Sequence, residues 1–271
     1  MEGSYTEELK TARKAIDEAS SVINEFRRGR DFNIQLKGKN DLLTEADVAA
    51  ENAILDVIKG AFKDDEILAE ESTGVKDLPE SRVWIIDPID GTTNFAHGFP
   101  EFGISVALWE EREAKLGMVY NIARDEIFHA VKGGGAFLND KAIQVSGITE
   151  LKNSLIATGF PYRDLGLVDP YLDLFKTLMH ETHGVRRPGS ASIDLCNVAA
   201  GRFDGFYEYG LSPWDVAAGA LIIREAGGIV TDWIGGDHWL LGQRIIAGNK
   251  AIPGKLQHLI TRHFKARDLQ I

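Results

Sequence analysis

An apolar run, Val83-Trp84-Ile85-Ile86, stops abruptly at Asp87-Pro88-Ile89-Asp90-Gly91-Thr92-Thr93-Asn94-Phe95. The run reads as a buried strand. Pro88 biases Asp87 toward an extended conformation, so its carboxylate projects from the strand end. Asp90-Gly91 then reads as a turn and Thr92-Thr93 as the start of a helix. Two carboxylates and the carbonyl of Ile89 are thereby aimed at one spot, beside free N–H groups at a helix start that suit a phosphate. All these ligands are oxygens, which favours Mg²⁺, Mn²⁺ or Ca²⁺ over Zn²⁺.

The rest of the chain supplies helices and strands around this point. Leu9, Ala12, Ile16, Ala19, Val22, Ile23 and Phe26 mark an amphipathic helix ending near Gly29. Residues 30–43 read as a polar loop, with Lys37 and Lys39 lying over the site or in solvent. Thr44-Glu45-Ala46-Asp47 opens a second helix as a capping box, with Ala50, Ile54, Val57, Ile58 and Phe62 as its buried stripe. Strands are expected at 67–69, 83–86, 103–109, 115–120 and 126–131, the last three as an antiparallel series. Gly133-Gly134-Gly135 reads as backbone punctuation. In the second half the pattern predicts strands at 154–158, 203–209 and 244–247. It predicts helices at 172–182, 190–200 and 214–226, the last closed by Gly227-Gly228, and a terminal helix from about Lys255. The expected organisation is an N-terminal half, 1–145, and a C-terminal half, 146–271, forming one compact unit.

Charge and cysteine content narrow the partners. A net charge of −11 opposes nucleic acid and anionic lipid at long range, so neither is expected as a partner. A phosphate ester would be repelled too, unless bound cations, basic side chains or helix N-termini override the global field. The single cysteine, Cys196, excludes an intrachain disulfide and reads as a small buried residue on an apolar helix face. No run approaches the roughly 18 apolar residues of a membrane span, and the charged N-terminal segment does not resemble a signal peptide. The expected location is cytoplasmic.

Two further acids share the setting of Asp87 and Asp90. Glu70 follows the strand Ile67-Leu68-Ala69, and Asp215 sits in the first turn of a helix after Pro213-Trp214. Acids in first turns are often only dipole partners. If Glu70, Asp87, Asp90 and Asp215 converge, however, each pair about 4 Å apart repels by about 4 kcal/mol at an effective dielectric of about 20. With no Lys or Arg adjacent to any of the four, divalent cations are the natural counter-charge.

The segments Asp41-Leu42-Leu43-Thr44-Glu45-Ala46-Asp47, Glu70-Glu71-Ser72, Asp87 to Phe95 and Trp214-Asp215-Val216-Ala217-Ala218-Gly219 resemble, in order and spacing, those of the inositol monophosphatase family of lithium-sensitive, metal-dependent phosphatases. The resemblance covers nearly the whole chain. It implies an α/β fold of the layered αβαβα type shared with fructose-1,6-bisphosphatase, a homodimer, and inhibition by Li⁺. It implies two or three Mg²⁺ ions, with Mn²⁺ as a possible substitute. Glu70, Asp87 and the Ile89 carbonyl would hold one ion, and Asp87, Asp90 and Asp215 a second. Gly91 and Thr92 would donate N–H groups to the phosphate. Thr92 and Asp47, with Glu70 as another candidate base, would orient or deprotonate an attacking water. Gly189, Ser190, Ala191, Glu208 and Asp90 would contact substrate hydroxyls. From local sequence alone, Asp47 reads simply as the closing residue of its capping box; the resemblance adds the catalytic role.

The expected reaction is direct attack of metal-activated water on a small phosphorylated polyol, most simply inositol monophosphate, with no phospho-enzyme. Sister activities on fructose 1,6-bisphosphate, histidinol phosphate or a nucleotide 3′-phosphate remain open. So does a binding or regulatory protein that retains the fold. His97 reads as a loop residue, and Arg186 and Arg187 as a solvated or interface pair rather than a second phosphate site.

Overall fold

The computed structural model describes residues 5–29, 34–38, 41–73, 78, 81–160, 162 and 165–269, with 34–38 and 41–42 described by backbone alone. Helices α1 (Thr6–Gly29) and α2 (Glu45–Ala61) flank a hairpin of β1 (Ile34–Gly38) and β2 (Asp41–Thr44). The loop expected over residues 30–43 is therefore partly strand. Its apolar alternation, Ile34 and Leu36, is too short to show in the sequence. Lys39 lies outside the described residues.

A seven-stranded sheet follows, formed in sequence order by β3 (Glu66–Ala69), β4 (Val83–Asp90), β5 (Gly103–Glu110), β6 (Glu113–Asn121), β7 (Glu126–Val131), β8 (Ala136–Leu138) and β9 (Lys141–Ile143). Only β3–β4 is parallel; from β4 onward each strand pairs antiparallel with the next. A short helix, α3 (Thr92–Ala96), leaves the end of β4. The remaining elements are β10 (Leu155–Thr158), α4 (Val168–Glu181), β11 (Gly184–Arg186), α5 (Ala191–Ala199), β12 (Gly205–Tyr209), α6 (Pro213–Glu225), β13 (Ile229–Thr231), β14 (Arg244–Gly248) and α7 (Ile252–His263). Their strands form a second sheet in the order β11-β10-β12-β14-β13. The three-residue strands β8, β9, β11 and β13 were not expected, being too short to carry a period.

Side-chain alternation along β4 fixes the layers. Trp84 and Ile86 pack with Ile16, Ile23, Ile54 and Ile58 of α1 and α2. Val83 and Ile85 face the other way, into a cluster with Ile193, Val198, Leu221 and Ile222 of α5 and α6. That cluster continues to Phe206, Ile245 and Ala247 of the second sheet. On its far face Ile156, Tyr207 and Ile246 pack against Leu174, Leu178, Leu256 and Ile260 of α4 and α7. The architecture is αβαβα, as expected. All eight residues of β4 are buried, which is why an apolar run rather than an alternation marks it.

The central helices sit close to their neighbours. A Cβ on Gly117 of β6 would lie 2.7 Å from the Ala218 carbonyl oxygen of α6, and one on Gly219 would lie 2.6 Å from Leu195 Cβ of α5. The glycine cluster at 133–135 is more than punctuation, because the Gly133 and Gly135 N–H groups donate to the Glu225 carboxylate at the end of α6 (both 2.9 Å). Among the described residues, no helix is long and apolar enough to cross a membrane.

Gly117→Val is expected to destabilise the protein by about 1–3 kcal/mol, since backbone rather than a flexible side chain occupies the space. Urea unfolding should show a lowered midpoint at unchanged slope; an unchanged midpoint would contradict the packing.

Candidate active site

Strand β4 runs on through Asp87-Pro88-Ile89-Asp90 rather than ending at Asp87. Its pairing with β5 slips there: Asp87 faces Ser105, but Asp90 faces Gly103. Three steps on β4 thus match two on β5, an extra residue of the kind that makes a bulge. Residues three apart on a regular strand point to opposite faces. The extra residue cancels that reversal and turns both carboxylates to one side. Gly91, at φ 91°, then caps α3. A Cβ there would lie 3.0 Å from the Glu101 carbonyl oxygen and 3.2 Å from that of Gly189. Only glycine meets both the conformation and the space.

Asp215 arrives from the other half of the chain. Ser105, opposite Asp87, donates its hydroxyl to the Trp214 carbonyl (3.1 Å) and so ties the first turn of α6 to the end of β4. The Ser212 N–H donates to Asp215 Oδ2 (2.7 Å). Carboxylate oxygens of Asp87, Asp90 and Asp215 consequently lie within 4.8 Å of one another. Glu70 borders the same cavity. Its N–H extends the β3–β4 ladder to the Ile86 carbonyl (3.2 Å), beside Asp87. The Glu71 N–H is held by the buried Glu51 carboxylate (2.8 Å), which fixes that turn.

Asp90 and Asp47 are anchored in the same manner. Asp90 Oδ2 accepts from Ser190 Oγ (2.6 Å), Ser192 Oγ (2.6 Å) and the Ser192 N–H (2.7 Å) at the start of α5. Asp47 Oδ2 accepts from the Thr44 N–H (2.7 Å) and hydroxyl (2.5 Å), closing the expected capping box. Its Oδ1 lies 3.2 Å from Thr92 Oγ1, which is also 3.0 Å from the Ile89 carbonyl oxygen. Asp47 therefore closes the capping box with one oxygen and faces Thr92 with the other.

Burial raises the Asp87 carboxyl well above its usual range, with the charges of Glu70, Asp90, Asp215 and Asp47 adding to it. Asp90 is also raised by burial, although its serine hydrogen bonds pull it back. Three mutually repelling acids, all oxygen donors, with the hydrogen bonds to Asp90 among the described residues all on one oxygen, fit a hard divalent cation.

The adjoining cavity, about 390 Å³, is bordered by Gly91, Thr92, Gly189, Ser190, Ala191, Glu208 and Arg187 among others. Burial lifts Glu208 to a pKa of about 8. The Glu208 carboxylate lies against Gly159, where a Cβ would come 1.9 Å from Oε1 and displace it. Ser190, a residue expected to contact substrate, borders the cavity, and its hydroxyl donates to Asp90 Oδ2. Arg186 and Arg187 are both exposed, as expected, and Arg187 also borders the cavity, its guanidinium 5.2 Å from the Tyr162 ring centre. His97 caps α3 at the surface, and Cys196 is buried as expected. Sequence reasoning missed Ser105, Glu51, Ser192 and Asp194. Of these only Asp194 left a signal, an acid set among Ile193, Leu195 and Cys196.

The model for the inositol monophosphatase family matches residues 4–268. The chain belongs to the inositol monophosphatase family. It is 42% identical over 256 residues to a putative Nus factor SuhB of Neisseria meningitidis serogroup B, covering 94% of this chain and 98% of that one. It is 40% identical over 253 residues to an inositol-1-monophosphatase of Mesorhizobium japonicum, covering 93% and 95%. The extragenic suppressor protein suhB structure from Bartonella henselae superposes with a TM-score of 0.90 at 38% identity, over 96% of this chain and 100% of that one. Phosphatase chemistry at a metal-binding acidic centre is thus the family background of this cavity.

A cation bound only by the folded protein stabilises it by about 2.7 kcal/mol at 100 times its Kd, or roughly 5–10 °C in Tm for a domain of this size. Mg²⁺ is expected to raise Tm by that order at pH 8, and the Asp87→Asn variant should lose the effect. The folded pKa of Asp87 lies above the unfolded one, so folding takes up a proton. Without metal, the wild type should therefore gain stability relative to Asp87→Asn as pH falls from neutral toward about 4. Thermal melts in EDTA and in Mg²⁺ across pH check both signs.

Proposed function

We propose that the chain is a Mg²⁺-dependent phosphatase for phosphate monoesters of small polyols, inositol monophosphate foremost. The observation that carries the reading is the convergence of Asp87, Asp90 and Asp215 within 4.8 Å, beside the first turn of α3. Glu70, Asp87, the Ile89 carbonyl, Asp90 and Asp215 would hold two or three ions. Bound divalent ions would supply neutralisation of the phosphate charge and activation of water.

The chain's own groups do the rest. The N–H groups of Gly91 and Thr92 open a helix, where intrahelical partners are lacking, and they suit the phosphate oxygens. Thr92 Oγ1 can accept a proton from the attacking water while passing its own to Asp47 Oδ1. Asp47 is kept in place for this by Thr44, and Glu70 is a second candidate base. Glu208 and the backbone at Gly189 and Ala191 lie where the leaving alcohol would sit. No nucleophilic side chain is needed, so water attacks directly. The proposal carries with it replacement of Mg²⁺ by Mn²⁺, inhibition by Li⁺, a homodimer and a cytoplasmic location.

The likeness to a putative Nus factor favours a second role beside catalysis. Rescue of a bacterium deficient in its own Nus factor SuhB by a phosphatase-dead variant of this chain would support that role. Failure of the intact chain to rescue would count against it.

Phosphate release from inositol 1-phosphate, fructose 1,6-bisphosphate, histidinol phosphate and 3′-phosphoadenosine 5′-phosphate tests the primary reading. Inositol 1-phosphate should give the highest kcat/KM and require Mg²⁺. Residues that merely support metal ligands cost about 10–100-fold when removed. Asp87→Asn and Asp215→Asn should accordingly lose more than about 100-fold, with the fold retained. Near-wild-type turnover in both would refute the assignment.

A further inference from the structure

The proposed phosphatase reading leaves one buried acid of the cavity without a task. Asp194, on α5, borders the same cavity as Glu208 and is 1% exposed. Its Oδ1 has no hydrogen-bond partner among the described residues. An ionisable oxygen taken out of water and left unpaired is costly, so its retention calls for a functional explanation such as a ligand, an ion or a catalytic role. Asp90 is held by Ser190 and Ser192, Asp47 by Thr44 and Thr92, and Asp215 by the Ser212 N–H.

Position distinguishes Asp194 from the cation-holding acids. The group of three that can share one ion consists of Asp87, Asp90 and Asp215, without Asp194. Asp194 and Glu208 line the same cavity, and after burial the charge of Glu208 is the largest influence on the Asp194 carboxyl. Arg187, above the Phe160 and Tyr162 rings, is the cation that acts on both. Asp194, Glu208 and Arg187 thus line one cavity together with Asp87, Asp90 and Asp215.

We propose that Asp194 is a specificity-determining residue that, together with Glu208, takes two hydroxyl groups of a polyhydroxylated leaving group. A carboxyl oxygen left unpaired in the free protein gains a donor when such a substrate enters, and an alcohol with a single hydroxyl, the esterified one, offers none. Hydroxyls fit better than an ammonium group. Arg187 already supplies positive charge, and both carboxyls are shifted toward their neutral forms, which suits uncharged donors. Discrimination by a polar group that only the right substrate can pair is also the strongest kind that a pocket provides.

The inference rests on the phosphatase reading, and the test separates the two. Wild type, Asp194→Asn and Asp194→Ala would be assayed with Mg²⁺ on inositol 1-phosphate, phosphoethanolamine and p-nitrophenyl phosphate. Binding of myo-inositol in the presence of phosphate would be followed by calorimetry, and folding by thermal melts. Both variants should raise KM for inositol 1-phosphate about tenfold or more and weaken inositol binding in parallel. Turnover of p-nitrophenyl phosphate should stay within about twofold.

Equal losses on all three substrates in folded variants, or no loss on any, would overturn the proposal. A loss confined to phosphoethanolamine would overturn it in favour of an ammonium subsite. If Asp194→Ala fails to fold, the isosteric Asp194→Asn still decides, since it keeps the volume and changes the acceptor. Absence of wild-type hydrolysis of every phosphate would instead defeat the phosphatase reading itself.

Discussion

The structure depends on how it holds acids together that repel one another. Asp47, Asp90 and Asp215 each give one oxygen to donors at the first turn of a helix: Thr44 at α2, Ser192 at α5 and Ser212 at α6. Those N–H groups lack intrahelical partners and carry the positive end of the helix dipole, so they both anchor a carboxylate and offset part of its charge. Anchoring one oxygen leaves the second to be aimed. At Asp47 that oxygen meets Thr92; at Asp90 the hydrogen bonds among the described residues all fall on Oδ2. The Asp87 carboxyl is still raised, first by burial and then by the charges of its acidic neighbours, and a divalent cation is the natural counter-charge.

The layered fold brings those helix starts together. β4 is buried on both faces, which forces α1 and α2 to one side and α5 and α6 to the other. The bulge opposite Ser105 and Gly103 turns Asp87 and Asp90 to a common side. Ser105 then fastens α6 at the same level, and Asn94 of α3 donates to the Glu101 carbonyl just before β5 and to the Pro188 carbonyl in the loop before α5. Close approach at Gly117 and Gly219 removes the slack that side chains would leave between α6 and its neighbours. A shift of α6 would therefore be felt first at Asp215.

Much of this was legible in the sequence. The apolar run ending at Asp87, the capping box at Thr44 and the Pro-Trp-Asp start of α6 are local patterns, and each located its element within a few residues. Convergence of residues 70, 87, 90 and 215 is not local; the resemblance to a family supplied it, and the coordinates show it for the three aspartates. The bulge was invisible because it depends on the partner strand. Ser105, Glu51 and Ser192 look like ordinary residues until their hydrogen bonds are seen across 20 to 109 positions of chain. The loop assigned to residues 30–43 failed for a different reason, since a hairpin of strands four and five residues long carries too little alternation to read.

The central claim is that these acids form a cation cage, and anomalous diffraction from crystals grown with Mn²⁺ tests it most directly. The account predicts a peak about 2.0–2.6 Å from carboxylate oxygens of Asp87, Asp90 and Asp215. Strong peaks elsewhere, with no density between those three side chains at saturating metal, would contradict it.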